Sequence, residues 1–481
     1  MSTRATLAVV TLLVLIITCC DWNVEMDDAY IYYTYARNIA TGHGYVFNPG
    51  ERILGTTSPL YTLVLAALYR LLHPLPFVTL PGIGHLLWAA GLWLTAFLGM
   101  KILSEAGLPR AAILYPLLIL ANPLHGQAIG METFLTLPLV MYAFSLYQGD
   151  RLLGVAIVSG LAVLSRPDAI IVPAILGADD LLRRRRLPPW KCVLAFVLIL
   201  TPWAVFSQTY FGAIVPHTLA AKTAQTASGR WGTGFIFLRG LTHDAGGTCL
   251  LFALAAVYLL RVDRSWMRQR VLVLIFVGDL LYLVAYGLVL NPPAYGWYYT
   301  PLSVGMAMAP AIVLDRLLGE ARFTSWRHAR LAALALGVVL ILAGLVQPIR
   351  VARKGVSDKY ENYVEAAAWL NEHVPKGSSL AANEIGVIGY HYHRGKVIDA
   401  LGLITPGVAE HVARKDYAWY IHAYHPDYLM FNQPPRPLLE AMVGEPWFRE
   451  MYDRTAIIAT ARRAVAIYAR RRGWTPGSPR S

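Results

Sequence analysis

Apolar residues fall into eleven long runs, at 6–20, 83–103, 111–124, 133–147, 152–164, 169–182, 193–207, 249–260, 271–290, 302–317 and 331–346. An upright helix needs about 20 residues to cross a bilayer core. The shorter runs therefore require helical ends beyond their apolar part. A twelfth run, 60–72, is short and carries Tyr61, Tyr69 and Arg70, with His73 just beyond it. Those residue types favour the membrane–water boundary, and the run is expected to lie flat on the outer leaflet. The pattern predicts a mainly α, polytopic membrane protein with about eleven transmembrane helices.

Basic residues orient the spans. Arg183 to Arg186 with Lys191, then Arg261, Arg264, Arg268 and Arg270, then Arg316, Arg322, Arg327 and Arg330 cluster between runs. The positive-inside rule assigns all three clusters to the cytoplasm. With Arg4 also inside, eleven crossings put the N-terminus in the cytoplasm and the C-terminus outside. The net charge of +13 is then a topological signal and calls for no nucleic acid. Composition agrees, with 56% hydrophobic and 15% charged residues, against roughly 25% charged in soluble domains. Four cysteines, Cys19, Cys20, Cys192 and Cys249, lie in or beside apolar runs without metal-ligand spacing or a disulfide framework. Residues 1–20 read as a retained first span.

Two units are expected. Residues 1–349 form a membrane module whose first external loop is 21–81, containing interfacial helices. Residues 350–481 form a small extracytoplasmic α/β domain. In it, 360–373 has helical periodicity, and short β-like runs stand at 379–382, 387–390, 397–399, 428–431 and 464–468. The basic, Pro/Gly-rich end, 470–481, is expected to be disordered.

Chemistry concentrates on the external side. Asp27 and Asp28 open a segment free of Pro and Gly that closes at Gly42-His43-Gly44, so they fall at the N-terminus of a helix of about four turns. One such carboxylate could serve merely as a cap worth about 1 kcal/mol; this chain supplies two, plus Glu25. Ionisable groups at a membrane edge usually mark chemistry or a permeation path. Arg166, before Pro167 and Asp168, suits phosphate binding or a helix start equally. His217 and Lys222 lie in the expected external stretch 210–244, and Glu132 opens a span. Tyr295, Trp297, Tyr298 and Tyr299 form an aromatic group at the outer boundary, an arrangement typical of membrane belts. Asp279 is the one carboxylate deep within an apolar run.

Asp27-Asp28-Ala29-Tyr30, Tyr35-Ala36-Arg37-Asn38, Gly42-His43-Gly44, Phe47-Asn48-Pro49-Gly50-Glu51 and Thr57-Ser58-Pro59-Leu60 together resemble the first external loop of GT-C superfamily glycosyltransferases. The resemblance is to their bacterial arabinofuranosyltransferase-like branch. Gly130-Met131-Glu132-Thr133, Leu164-Ser165-Arg166-Pro167-Asp168, Val215-Pro216-His217-Thr218 with Lys222, and Ile398-Asp399-Ala400-Leu401-Gly402-Leu403 are similar to that branch too. Leu54-Gly55-Thr56-Thr57 departs from its usual Glu-Gly-Tyr-Thr, at a place that bears on the acceptor pocket.

The resemblance implies an enzyme of the bacterial plasma membrane that moves a sugar from a polyprenyl-phosphate donor to an extracytoplasmic hydroxyl, with inversion. The acceptor would be a glycan, lipid or protein. A phosphate leaving group needs no strong general acid, only a base for the hydroxyl and cations for the phosphate. Asp27 and Asp28 are the implied catalytic pair. Arg37, His43, Glu132, Arg166, His217, Lys222 and Tyr298 are the candidates for holding donor and phosphate. No tightly bound cofactor is expected, though a divalent metal bridging the aspartates is compatible with the superfamily. A flippase for a lipid-linked sugar is the competing function; it predicts paired repeats and charged spans, and the chain has neither apart from Asp279.

Overall fold

The structure is a computed structural model and describes residues 3–319 and 327–471. Its N-terminal part is helical: α1 (Thr3–Cys20), α2 (Asp27–Ala40), α3 (Pro59–Leu72), α4 (Leu80–Glu105), α5 (Pro109–Leu120), α6 (Thr133–Gln148) and α7 (Leu152–Ser165). There follow α8 (Ile171–Arg184), α9 (Trp190–Phe211), α10 (His217–Ser228), α11 (Ile236–Arg261), α12 (Arg270–Val284), α13 (Ser303–Gly319) and α14 (Arg327–Lys354). Among the described residues, six helical stretches are long and apolar enough to cross a membrane alone: α1, α4, α9, α11, α12 with its extension to Leu290, and Gly296–Gly319 ending in α13. The other expected runs form shorter helices, or lie within α14 in the case of 331–346.

Many leucines and valines of these helices face outward. On α11, Leu250, Leu254 and Val257 are each at least 60% exposed. In water such a belt would be an adhesive patch, whereas lipid solvates it. The protein is a multi-pass membrane protein. Its helices meet through small residues, as association without a hydrophobic driving force requires. Gly91 of α4 lies so close to the Phe134 carbonyl of α6 that a Cβ would stand 1.7 Å from it, and Gly99 likewise admits the Tyr115 ring of α5.

The stretch 210–244, expected as one external loop, is more ordered than that. It contains α10, and its end is the start of α11, which begins at Ile236 and bends at Ala245, where φ is −137°. His243, Asp244, Gly246 and Gly247 interrupt the apolar pattern at that bend, so only 249–260 reads as a run.

The C-terminal part carries α15 (Asp358–His373), α16 (Gly386–His391) and α17 (Val408–Ala413) around a five-stranded sheet. Its strands are β1 (Leu380–Ala382), β2 (Val397–Asp399), β3 (Tyr428–Asn432), β4 (Tyr452–Ala459) and β5 (Ala464–Arg470), ordered β2-β1-β3-β5-β4. β2, β1 and β3 run parallel, with Ala381 between Ile398 and Leu429. β5 joins them antiparallel through Met430 and Ile467, and β4 pairs antiparallel with β5 at the edge.

Two expectations fail here for physical reasons. Residues 387–390 are not a strand but the body of α16; a short apolar run has no period of its own to separate the two states. β4 escapes notice because it is an edge strand with most of its residues partly or fully exposed, so no apolar run marks it. The strand β5 also reaches Arg470, and Arg471 bonds Asp453 at 2.8 Å. The tail expected to be disordered therefore starts ordered, and its remainder, 472–481, lies outside the described residues.

α2 joins the two parts. Ala29 through Ala36 are all buried, four tyrosines among them. One side packs on α3 and the other on α16 of the C-terminal domain.

Candidate functional site

The two neighbouring aspartates diverge, because consecutive residues on a helix point about 100° apart. Asp27 turns to the C-terminal domain. Its carboxylate accepts the backbone N–H of Gly386 at 3.2 Å and of Val387 at 3.0 Å, covering unsatisfied donors at the start of α16. The approach is so tight that a Cβ on Gly386 would lie 1.7 Å from the Asp27 carbonyl oxygen. Burial pushes the Asp27 carboxyl up to about 6; Lys359 pulls against that shift and Glu384 adds to it. Glu384 takes Lys359 at 2.9 Å and Arg436 at 3.4 Å, with the Tyr363 hydroxyl at 2.5 Å. Burial opposes its charge, yet these partners hold it down to about 2.

Asp28 turns the other way, into a cavity of about 510 Å³. Lys222, from α10, stands across from it with Nζ 3.5 Å from Oδ2. Burial works against the Lys222 ammonium, but the Asp28 carboxylate outweighs it and holds the pKa above the ordinary lysine value. The same ammonium lies 4.0 Å from the Tyr295 ring centroid and 5.6 Å from that of Trp297, and those two rings are stacked at 4.7 Å. Trp297 and Tyr298 line the cavity. Tyr299 does not share their surroundings: it is fully buried against Phe237.

Glu132 and Arg166 line the same cavity, but Arg166 is already committed. Its guanidinium donates to Glu132 at 3.0 Å, to Thr133 at 3.2 Å, and to both oxygens of Asp168 at 3.1 and 2.6 Å. Asp168 also accepts the Tyr286 hydroxyl at 2.7 Å. Residues 166 and 132 are about 5% exposed. Arg166 is thus paired on both sides within the cavity wall.

Three candidates lie elsewhere. Arg37, about two and a half turns along α2 from Asp28, donates to the Tyr390 carbonyl at 2.7 Å and lies 4.5 Å from that ring's centroid. It clamps the C-terminal domain and does not reach the cavity. His43 is exposed and bonds Thr41 at 2.9 Å. His217 starts α10 beside the cavity; its backbone N–H bonds Leu54 at 3.0 Å, and its side chain is absent from the lining while Thr218 is present. Sequence reasoning missed Lys359 and Glu384, which sit in ordinary polar contexts; Leu403, quoted above only within a motif, is among the described residues the one lining residue from the C-terminal domain. Among the described residues no three His, Cys, Asp or Glu side chains gather as a metal cage. With Asp27 bound to backbone amides, the aspartate pair does not present a joint donor set to a divalent ion.

A family model described as a domain of unknown function (DUF8728) matches residues 350–469. The terminal beta-(1->2)-arabinofuranosyltransferase of Corynebacterium glutamicum is 30% identical over 282 residues, covering 50% of this chain and 39% of that protein. Its namesake in Mycobacterium tuberculosis is 29% identical over 241 residues, covering 44% and 36%. The chain thus spans about two fifths of the length of these curated relatives. Among solved structures, ArnT from Cupriavidus metallidurans bound to undecaprenyl phosphate is similar over 97% of this chain and 98% of that one, with a TM-score of 0.62 and 13% identity. At that identity the likeness is one of fold.

Proposed function

We propose that this GT-C-fold protein of the arabinofuranosyltransferase-like branch is a membrane glycosyltransferase. In this reading it moves a sugar, a pentofuranose by analogy with the curated relatives, from a polyprenyl phosphate to an external hydroxyl. The observation that carries it is the facing of Asp28 and Lys222 across 3.5 Å on the wall of a cavity of about 510 Å³.

The reaction needs a base and a cation in one place, and this pair supplies them. The acceptor oxygen attacks the anomeric carbon as the bond from that carbon to the phosphate oxygen breaks. The acceptor proton passes to Asp28, and the electron pair of the broken bond stays on the phosphate, beside the Lys222 ammonium. Attack opposite the leaving phosphate gives inversion. Asp27 and Arg37 act indirectly by fixing α2 against the C-terminal domain. Tyr298 and Trp297 offer ring faces to the sugar, and Glu132 and Arg166 keep the adjoining wall rigid. Val163, Leu164, Leu200 and Ala204, from α7 and α9, give the cavity an apolar side suited to a prenyl chain.

In this reading the basic clusters lie inside, with the N-terminus in the cytoplasm and the C-terminal domain outside. Impermeant thiol reagents should label a cysteine introduced at 227 and spare one at 185.

The deciding experiment is reconstitution in liposomes with radiolabelled polyprenyl-phosphate pentose and a soluble glycan acceptor. Transfer by the wild type and its loss in Asp28→Asn support the reading. Full transfer by that variant, or donor translocated without ever being cleaved, refutes it; the latter result is that of a flippase.

A further inference from the structure

Leu403 reaches the cavity from a loop that is unusually constrained. Residues 400–405 follow β2, and Asp399, at the end of that strand, is fully buried. Its carboxylate accepts the N–H of Leu401 at 2.8 Å and that of Leu403, while its own N–H donates to the Thr405 hydroxyl at 2.8 Å. Ala400 N–H bonds the Ala382 carbonyl at 3.0 Å, tying the loop to β1. Gly402 holds φ at +83°, and a Cβ there would lie 2.6 Å from the Ala409 nitrogen. The loop is therefore fixed from within at each end and at its turn.

It is also seated from outside. Gly55 of the first loop receives it: a Cβ on Gly55 would lie 2.6 Å from Ile404 Cγ2 and 3.3 Å from the Leu403 carbonyl oxygen. Behind Gly55, the Thr218 hydroxyl of α10 donates to its carbonyl at 2.8 Å. Leu403, Gly55 and Thr56 thus form one stretch of cavity wall, held between the helix that carries Lys222 and the C-terminal domain.

We propose that this loop is the acceptor-side selectivity wall of the cavity, with Leu403 the residue that decides which acceptor fits. The proposal rests on the glycosyltransferase reading. A lipid-borne donor reaches Asp28 along the apolar helices α7 and α9. A water-borne acceptor must instead pass the one domain that lies beyond the spans, and Leu403 is that domain's contribution to the wall. A preformed apolar wall discriminates by shape, and one methylene in such a pocket is worth about 10–200-fold in kcat/KM between competing substrates.

The test uses the full chain in nanodiscs with polyprenyl-phosphate pentose as donor. A linear and a branched pentofuranosyl oligosaccharide compete as acceptors in the same tube. Their product ratio is independent of how much of a variant folds. Leu403→Ala should move the ratio toward the branched acceptor by at least 5-fold and Leu403→Phe should move it the opposite way, on the order expected for side-chain volume changes. Donor is held saturating throughout, so the product ratio reads acceptor choice alone. An unchanged ratio in both variants overturns the loop proposal while leaving transfer by the wild type as support for the broader reading. A wild type that neither cleaves nor transfers overturns both.

Discussion

The Lys222 ammonium stands 3.5 Å from the Asp28 carboxylate and 4.0 Å from the centre of the Tyr295 ring. One cation therefore contacts both the proposed base and an aromatic face. Asp28→Asn should lower kcat for transfer by about 10²–10⁴, the range for loss of a general base, without changing membrane insertion. Lys222→Gln should lower kcat as well as raise donor KM, and inhibition by free polyprenyl phosphate should weaken. Initial rates with donor and inhibitor varied separate the two effects. Equal rates for Asp28→Asn and wild type would remove the proposed chemistry.

Arg166 predicts a stability effect. Arg166→Leu leaves Glu132 and Asp168 as buried carboxylates without their partner, at a cost of about 3–5 kcal/mol. Thermal unfolding in detergent should show the loss, and adding Glu132→Gln should recover part of it. A variant as stable as the wild type but weak in donor binding would restore Arg166 as a phosphate ligand.

Docking of the C-terminal domain should depend on Gly386. Gly386→Ala drives a methyl against the Asp27 carbonyl, a backbone atom that cannot swing away. Limited proteolysis should then release the domain faster, and transfer should fall in step. Arg37→Ala removes a charged hydrogen bond and should weaken the same contact by about 2 kcal/mol. Unaltered cleavage in both variants would contradict the clamp.

The pH dependence of stability follows from Asp399. Burial pushes its carboxyl up from 3.8 to about 6. The folded state then binds its proton more tightly than the unfolded chain does. Its contribution is complete below 3.8 and declines as pH rises through about 6, with a total of about 3 kcal/mol. Asp27, raised to about 6, and Glu25, raised to about 7, tilt the curve the same way. His391, lowered to about 4 by burial, works the other way, so the test is a difference: the wild type should lose more in unfolding midpoint between pH 4 and 6 than Asp399→Asn does. A slope identical in the variant would mean that Asp399 titrates alike in both states.

The helices were legible because bilayer-length apolar runs and basic punctuation are long-range signals that survive averaging. Asp28 and Lys222 were legible as chemistry, but their 194-residue separation concealed that they meet. The different fates of Asp27 and Asp28 were not legible at all: which neighbour faces the cavity depends on the rotation of α2, and that is fixed by Gly386 and Tyr390 more than three hundred residues away. Arg37 looked like a phosphate ligand for the same reason. Its partner is a backbone carbonyl, which no residue type announces. α16 and β4 were lost to short length and to an exposed edge, where burial leaves no periodic mark.

The burial of α2 on all sides has a consequence for anyone who shortens this protein. Deleting the C-terminal domain would not leave a leaner catalyst. It would unroof a helix rich in tyrosines, strip Asp27 of both its amides, and free the very segment that turns its neighbour into the cavity. Chain length and the shape of the cavity are coupled through this one helix, and useful truncations must begin beyond the last strand.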